Sequence, residues 1–121
     1  TDFIVFENPV QMGDDPEVTF REPGVVAVSE NGIAFTEFPC SRSRPYEGCA
    51  GLHAVLANPD LFPDIDPTDP LAAGGDAFDL TDVGLERARF VLIRDRNGYY
   101  GAGGTTGFDL DAIAVVNGVE N

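Results

Sequence analysis

Apolar positions along this chain come in short runs separated by turn-forming residues, and no stretch carries the period of an amphipathic helix of about ten residues or more. Phe3-Ile4-Val5-Phe6 is an unbroken apolar run with the length of a buried strand. In VVAVSENGIAFTEF, residues 25–38, two β-rich runs flank Glu30-Asn31-Gly32, and an Asn-Gly pair in that setting predicts a hairpin. In the second arm Ile33, Phe35 and Glu37 alternate with Ala34, Thr36 and Phe38, so a strand is predicted while its inward face stays open. ARFVLI, residues 88–93, is the clearest strand, and FDLDAIAVV, residues 108–116, is the last. Residues 51–56, GLHAVL, fit a strand or a single helical turn, and Asp82 to Glu86 fit one short helical turn.

The connections are long. Residues 7–17 and 94–107 are polar and contain Gly or Pro, and residues 57–76 hold four prolines among repeated aspartates, which excludes a helix there. Strands alternating with long, turn-rich loops predict an all-β fold: one antiparallel β-sandwich of the jelly-roll kind, a single domain over residues 1–121.

Composition narrows the partners. Hydrophobic residues make up 43% of the 121, enough for a core, and no apolar run approaches the roughly 20 residues of a membrane span, so no membrane insertion is expected. The net charge is −14, from 21 acids against seven bases, all of them arginine. Such a surface repels nucleic acid and anionic lipid and draws cations. Cys40 and Cys49 flank SRSRPYEG, a loop of exposed character, and a disulfide is the simplest state for the pair. Closing so short a loop stabilises by roughly 2–3 kcal/mol in the chain-entropy picture, and the bridge points to an extracellular or cell-surface location.

The candidate chemistry is acidic. No Lys or Arg lies between Pro45 and Glu86, yet DPTDPLAAGGDAFDL, residues 66–80, crowds aspartates beside prolines and paired glycines. Two carboxylates about 4 Å apart repel by roughly 4 kcal/mol at an effective dielectric of 20. A hard cation relieves that, and calcium takes carboxylate and carbonyl oxygens in flexible geometry. Asp64, Asp66, Asp69, Asp76 and Asp79 are therefore candidate Ca2+ ligands, together with Asp109 and Asp111, which a strand would place on one side with Phe108 and Leu110 toward the core. The competing reading is that Asp64, Asp66 and Asp69 start turns beside proline. The loop does not follow the EF-hand spacing. His53, the only histidine, is read as a structural or surface residue, because the gap between the cysteines does not suit zinc. No serine sits in a nucleophile elbow, and nothing selects a catalytic carboxylate pair. Tyr46, Tyr99 and Tyr100, with Arg42 and Arg44, are the candidate ligand contacts: rings that can stack on a sugar, and cations beside them.

The segments DFIVFENP (2–9), VAVSENGIAFTEFPC (26–40), CAG (49–51), NPD (58–60), DPTDPLAAGGDAFDLTDVGLERARFVLIRD (66–95) and GFDLDAIAVVNG (107–118) resemble a family of secreted cell-surface β-sandwich domains of myxobacteria and related delta-proteobacteria. More loosely, Val28-Ser29-Glu30-Asn31-Gly32, Ala88 to Ile93 and Ala112 to Val116 resemble discoidin-like, galactose-binding-type jelly rolls. The resemblance implies binding of glycans or surfaces through loops, with a structural calcium. It also implies a further strand before Asp2, missing here or supplied by a neighbouring chain.

These readings converge on an extracellular, non-enzymatic cell-surface module for adhesion or ligand recognition, a glycan among the candidates, with loops ordered by Ca2+. The alternative is a structural subunit of an extracellular assembly, joined to copies of itself or to a surface protein through exposed edge strands. A metal-assisted hydrolase is the third reading.

Overall fold

The computed structural model describes residues 1–7, 10–11, 19–20, 22–41, 47–96 and 108–120. Its regular elements are strands β1 (Phe3–Phe6), β2 (Val10–Gln11), β3 (Thr19–Phe20), β4 (Gly24–Ser29), β5 (Thr36–Glu37), β6 (Asp76–Phe78), β7 (Phe90–Asp95) and β8 (Ala112–Val115), with one 3-10 turn at Leu80–Val83. The fold is all-β among the described residues, as the runs and turns of the sequence predict. Two antiparallel three-stranded sheets, ordered β6-β1-β8 and β5-β4-β7, carry it, with β2 and β3 forming a separate two-stranded ribbon.

The run at β1 is buried at all four positions because both of its faces are covered. Phe3 and Val5 join Val26 and Val28 of β4, Phe38, Ala50, Phe78 and Leu80 in one core cluster, so this cluster spans both sheets. Phe3 stacks on Phe78 with centroids 5.3 Å apart, and Phe38 meets Phe78 edge-on at 4.9 Å. Ile4 and Phe6 point the other way, onto Ala73 with Val55, Ala57, Ala114 and Val116. The proline-rich segment covers that outer face. Leu56 and Ala57 donate to the carbonyl of Ala73, and Gly75 donates to that of Ala54, which pins both ends of the segment together.

The hairpin forms with a wider connection than the Asn-Gly pair predicts. β4 pairs with β5 through Ala27–Glu37 and Val28–Thr36, leaving residues 30–35 as the loop. Side chains explain the width. The Ser29 hydroxyl oxygen accepts from the backbone of Asn31 and Gly32, and Asn31 Oδ1 accepts from Ile33 and Ala34. Those bonds stabilise a turn built from side chains, so a two-residue hairpin is not needed. Ile33 and Phe35 are exposed, and Phe38 is the arm's core residue.

Two further expectations are adjusted. Residues 51–56 form neither strand nor helix; only the isolated bridges Gly24–Ala50 and Val55–Gly74 touch this region. The last strand begins at Ala112, so Asp109 and Asp111 precede it, and Leu110 is 52% exposed where the alternation placed it toward the core. Phe108 alone of that pair packs on the core, close above Gly24.

Candidate functional site: acids around Gly51 and a groove at the disulfide

Cys40 and Cys49 form the expected disulfide, with their Cα atoms 4.7 Å apart. It anchors one end of β4 through Ala50, which exchanges backbone hydrogen bonds with Gly24. Beside the bridge lies an open groove of about 480 Å3. Phe38, Phe78 and Ala77 line it with Ser41, Glu47 and Asp82. Ser41 and Glu47 are the residues that bracket the loop of Arg42, Arg44 and Tyr46, and the Ser41 amide donates to the Glu47 carbonyl. Arg42, Arg44, Tyr46, Tyr99 and Tyr100 themselves lie outside the described residues.

The aspartates of the 64–79 region part company. Asp66 Oδ1 accepts from the backbone and hydroxyl of Thr68, Asp69 Oδ1 from the backbone of Leu71, and Asp79 Oδ1 from the backbone and hydroxyl of Thr81. These are Asx turns, each carboxylate occupied by donors two residues on. The Thr81 bonds, with the Thr1 amine at 3.2 Å, hold Asp79 at about 2, and the Thr68 bonds lower Asp66. Asp64, Asp66 and Asp69 are exposed. Among the described residues no three His, Cys, Asp or Glu side chains are placed to hold a metal ion as they stand.

Asp76 behaves differently. It is buried, at the start of β6, where Gly74 and Gly75 lead the chain in with positive φ of 72° and 70°. Its Oδ2 accepts from the backbone of Gly51 at 2.8 Å and Leu52 at 3.0 Å, and its Oδ1 lies 2.7 Å from His53 Nδ1. The carboxylate thus fixes residues 51–53 to β6 and orients the imidazole, whose side chain is 73% exposed. His53 is a surface histidine, as read from the sequence, with a buried anchor that the sequence did not reveal.

Glu7 was not singled out in the sequence. It follows β1 directly and is 7% exposed. Its Oε2 has no hydrogen-bond partner among the described residues. Burial pushes its carboxyl up from 4.5 to about 7, and the charges of Glu22, Asp109 and Asp76 push the same way. Gly51 lies against it: a Cβ on Gly51 would sit 3.0 Å from Glu7 Oε2 and 2.8 Å from the carbonyl oxygen of Glu22. The sequence held one signal, an acid placed immediately after an unbroken buried strand.

No protein-family model, curated protein or solved structure matches this chain. No helix among the described residues is long and apolar enough to cross a membrane.

Proposed function

We propose that this chain is an extracellular or cell-surface recognition module, a non-enzymatic jelly-roll-like sandwich that binds its ligand at the disulfide end, with Ca2+ ordering the surrounding loops. One observation carries the reading: a groove at the disulfide is lined by Phe38, Ala77 and Phe78 with Ser41, Glu47 and Asp82, and Ser41 and Glu47 are the residues that bracket Arg42, Arg44 and Tyr46 in the sequence. An apolar floor with a few polar groups suits a partly apolar, hydroxyl-rich ligand such as a glycan. The disulfide supports an oxidising location, and the resemblance to secreted surface domains points the same way. The test is a glycan array followed by titration of the hits. Glu47→Gln with Asp82→Asn is expected to weaken a hit at least tenfold in a protein that still melts cooperatively. An array without hits, or hits indifferent to both substitutions, removes the reading.

A second reading, a structural subunit joined through its sheet edges, has its own support. β7 ends its sheet among the described residues, and Phe90, Val91 and Leu92 are 46%, 37% and 48% exposed on alternating sides. An edge strand apolar on both faces is a pairing template for a second copy. Light scattering over a concentration series is expected to show association that Val91→Lys abolishes; a constant monomer mass eliminates this reading.

A further inference from the structure

The register of β4 with β7 decides which backbone groups of β7 point outward. Arg96 donates its amide to the Pro23 carbonyl, and Val25 pairs with Arg94, Ala27 with Leu92 and Ser29 with Phe90. Bonded pairs alternate with unbonded ones in an antiparallel ladder, so the main-chain groups of Phe90, Leu92 and Arg94 point to β4 and those of Val91, Ile93 and Asp95 point away. The far side of β4 agrees: Gly24 exchanges bonds with Ala50, and Phe38 donates to Val26, so residues 24 and 26 are turned from β7. No strand among the described residues takes up the outward groups of β7. Charge singles out the same place. The chain carries −14, so two copies repel over most of their surfaces. Residues 87–96 reverse the sign: Arg87, Arg89, Arg94 and Arg96, four of the seven bases, stand there against Asp95 alone.

We propose that β7 pairs antiparallel with β7 of a second copy about a two-fold axis at Leu92, which closes a dimer. The proposal rests on the assembly reading above for the fact of association, and adds the partner surface, the register and the closure. An axis at Leu92 sets Leu92 against Leu92 of the second copy, Val91 against Ile93 and Phe90 against Arg94, with Asp95 opposite Arg89 just beyond. Val91 and Ile93 then exchange main-chain bonds, and the apolar, aromatic–cation and opposite-charge pairs are each favourable across strands. The Phe90 ring lies against Gly32, where a Cβ would stand 3.1 Å from it, so the ring is already held in place. Arg94 keeps its bond to Glu37 and, at 59% exposed, still presents guanidinium surface. Neighbouring registers lose this match. An axis at Ile93 sets Arg94 against Leu92 and Asp95 against Val91; an axis at Val91 leaves Arg94 and Asp95 beyond the end of the partner strand. The Arg89 amide is turned inward to the Ser29 carbonyl, so the new ladder ends at Phe90. Two-fold pairing occupies β7 in both copies, and growth through this edge stops at two.

The experiment joins light scattering over a concentration series to cysteine cross-linking of the whole chain. The mass is expected to rise from one copy to two and to level there. Leu92→Cys is expected to give a cross-linked dimer under mild oxidation, because residues opposed at an unbonded position have Cα atoms about 4.5 Å apart. Ile33→Cys, exposed but on the hairpin loop, is expected to cross-link at least tenfold less, and the wild type, whose cysteines are bridged to each other, sets the background. Val91→Pro is expected to melt cooperatively, since its amide donates nothing to β4, and to stay monomeric. A constant monomer mass removes the pairing and the assembly reading together. Association in which Leu92→Cys cross-links no better than Ile33→Cys, or which persists in Val91→Pro, overturns the pairing and leaves assembly through another edge. A mass that climbs past two copies overturns the closure.

Discussion

Glu7 concentrates the electrostatic tension of the molecule in one side chain. In the unfolded chain it ionises near its ordinary 4.5, whereas in the folded protein it holds its proton up to about 7. The folded state therefore binds more protons across that window, and stability falls as pH rises from about 4.5 to about 7, with no penalty below it. In EDTA, Glu7→Gln is expected to match wild type near pH 4 and to melt at higher temperature at pH 8; equal melting at pH 8 would show that the carboxyl ionises without cost. Asp66 and Asp79 work in the opposite direction. Their hydrogen bonds favour the ionised form, so their contribution is present above the usual aspartate range and is lost as pH falls through their lowered folded values.

Among the elements, the segment from Ala54 to Asp76 has the least regular structure and one of the most demanding fits. It must pass close over β1 to cover Ile4 and Phe6, and Gly75 lies directly against Phe6 and Val5 while Gly74 lies against Ala54 and Leu56 of the same segment. At Gly75 a Cβ would stand 2.6 Å from the Phe6 ring and 2.9 Å from the Val5 carbonyl; at Gly74 it would stand 2.2 Å from the Ala54 carbonyl. Both residues also need positive φ. Gly75→Ala is expected to destabilise by about 2–4 kcal/mol, measured by urea unfolding, because strain and clash act together. A loss under half a kilocalorie (roughly the scatter of neutral surface changes) would mean that the segment lifts off the strand without consequence. The paired glycines were visible in the sequence as a turn signal, but the strand they must clear lies almost seventy residues earlier.

At the scale of the whole molecule, charge is the dominant long-range term. Twenty-one acids face seven arginines. Exposed pairs such as Arg94–Glu37 at 2.9 Å and Arg87–Glu30 at 3.3 Å contribute little individually. The excess charge repels itself across the surface, and screening shortens its reach from about 30 Å at 0.01 M salt to about 8 Å at 0.15 M. The melting temperature at pH 7.5 in EDTA is expected to climb over that range of NaCl and then to level off. A flat profile would show that the acids are too dispersed to oppose folding.

Local rules were enough for much of the architecture, because they act between neighbours. An unbroken Phe-Ile-Val-Phe run has to be a strand covered on both faces, prolines forbid a helix from 57 to 76, and two cysteines nine residues apart close a short loop. The turn role of Asp66 and Asp69 was legible as the competing reading of those residues, each lying two residues before its donor, whereas that of Asp79 was not read from the sequence. What only the tertiary structure decided is which acids meet. Adjacent aspartates in the proline-rich loop are held in separate turns, while Glu7, Asp76 and the main-chain carbonyl of Glu22, far apart along the chain, meet at Gly51. Strand pairing decides that gathering: β1 lies between β6 and β8, so the end of one strand is brought to the starts of the others. Alternation along a single segment carries no information about such long-range neighbours.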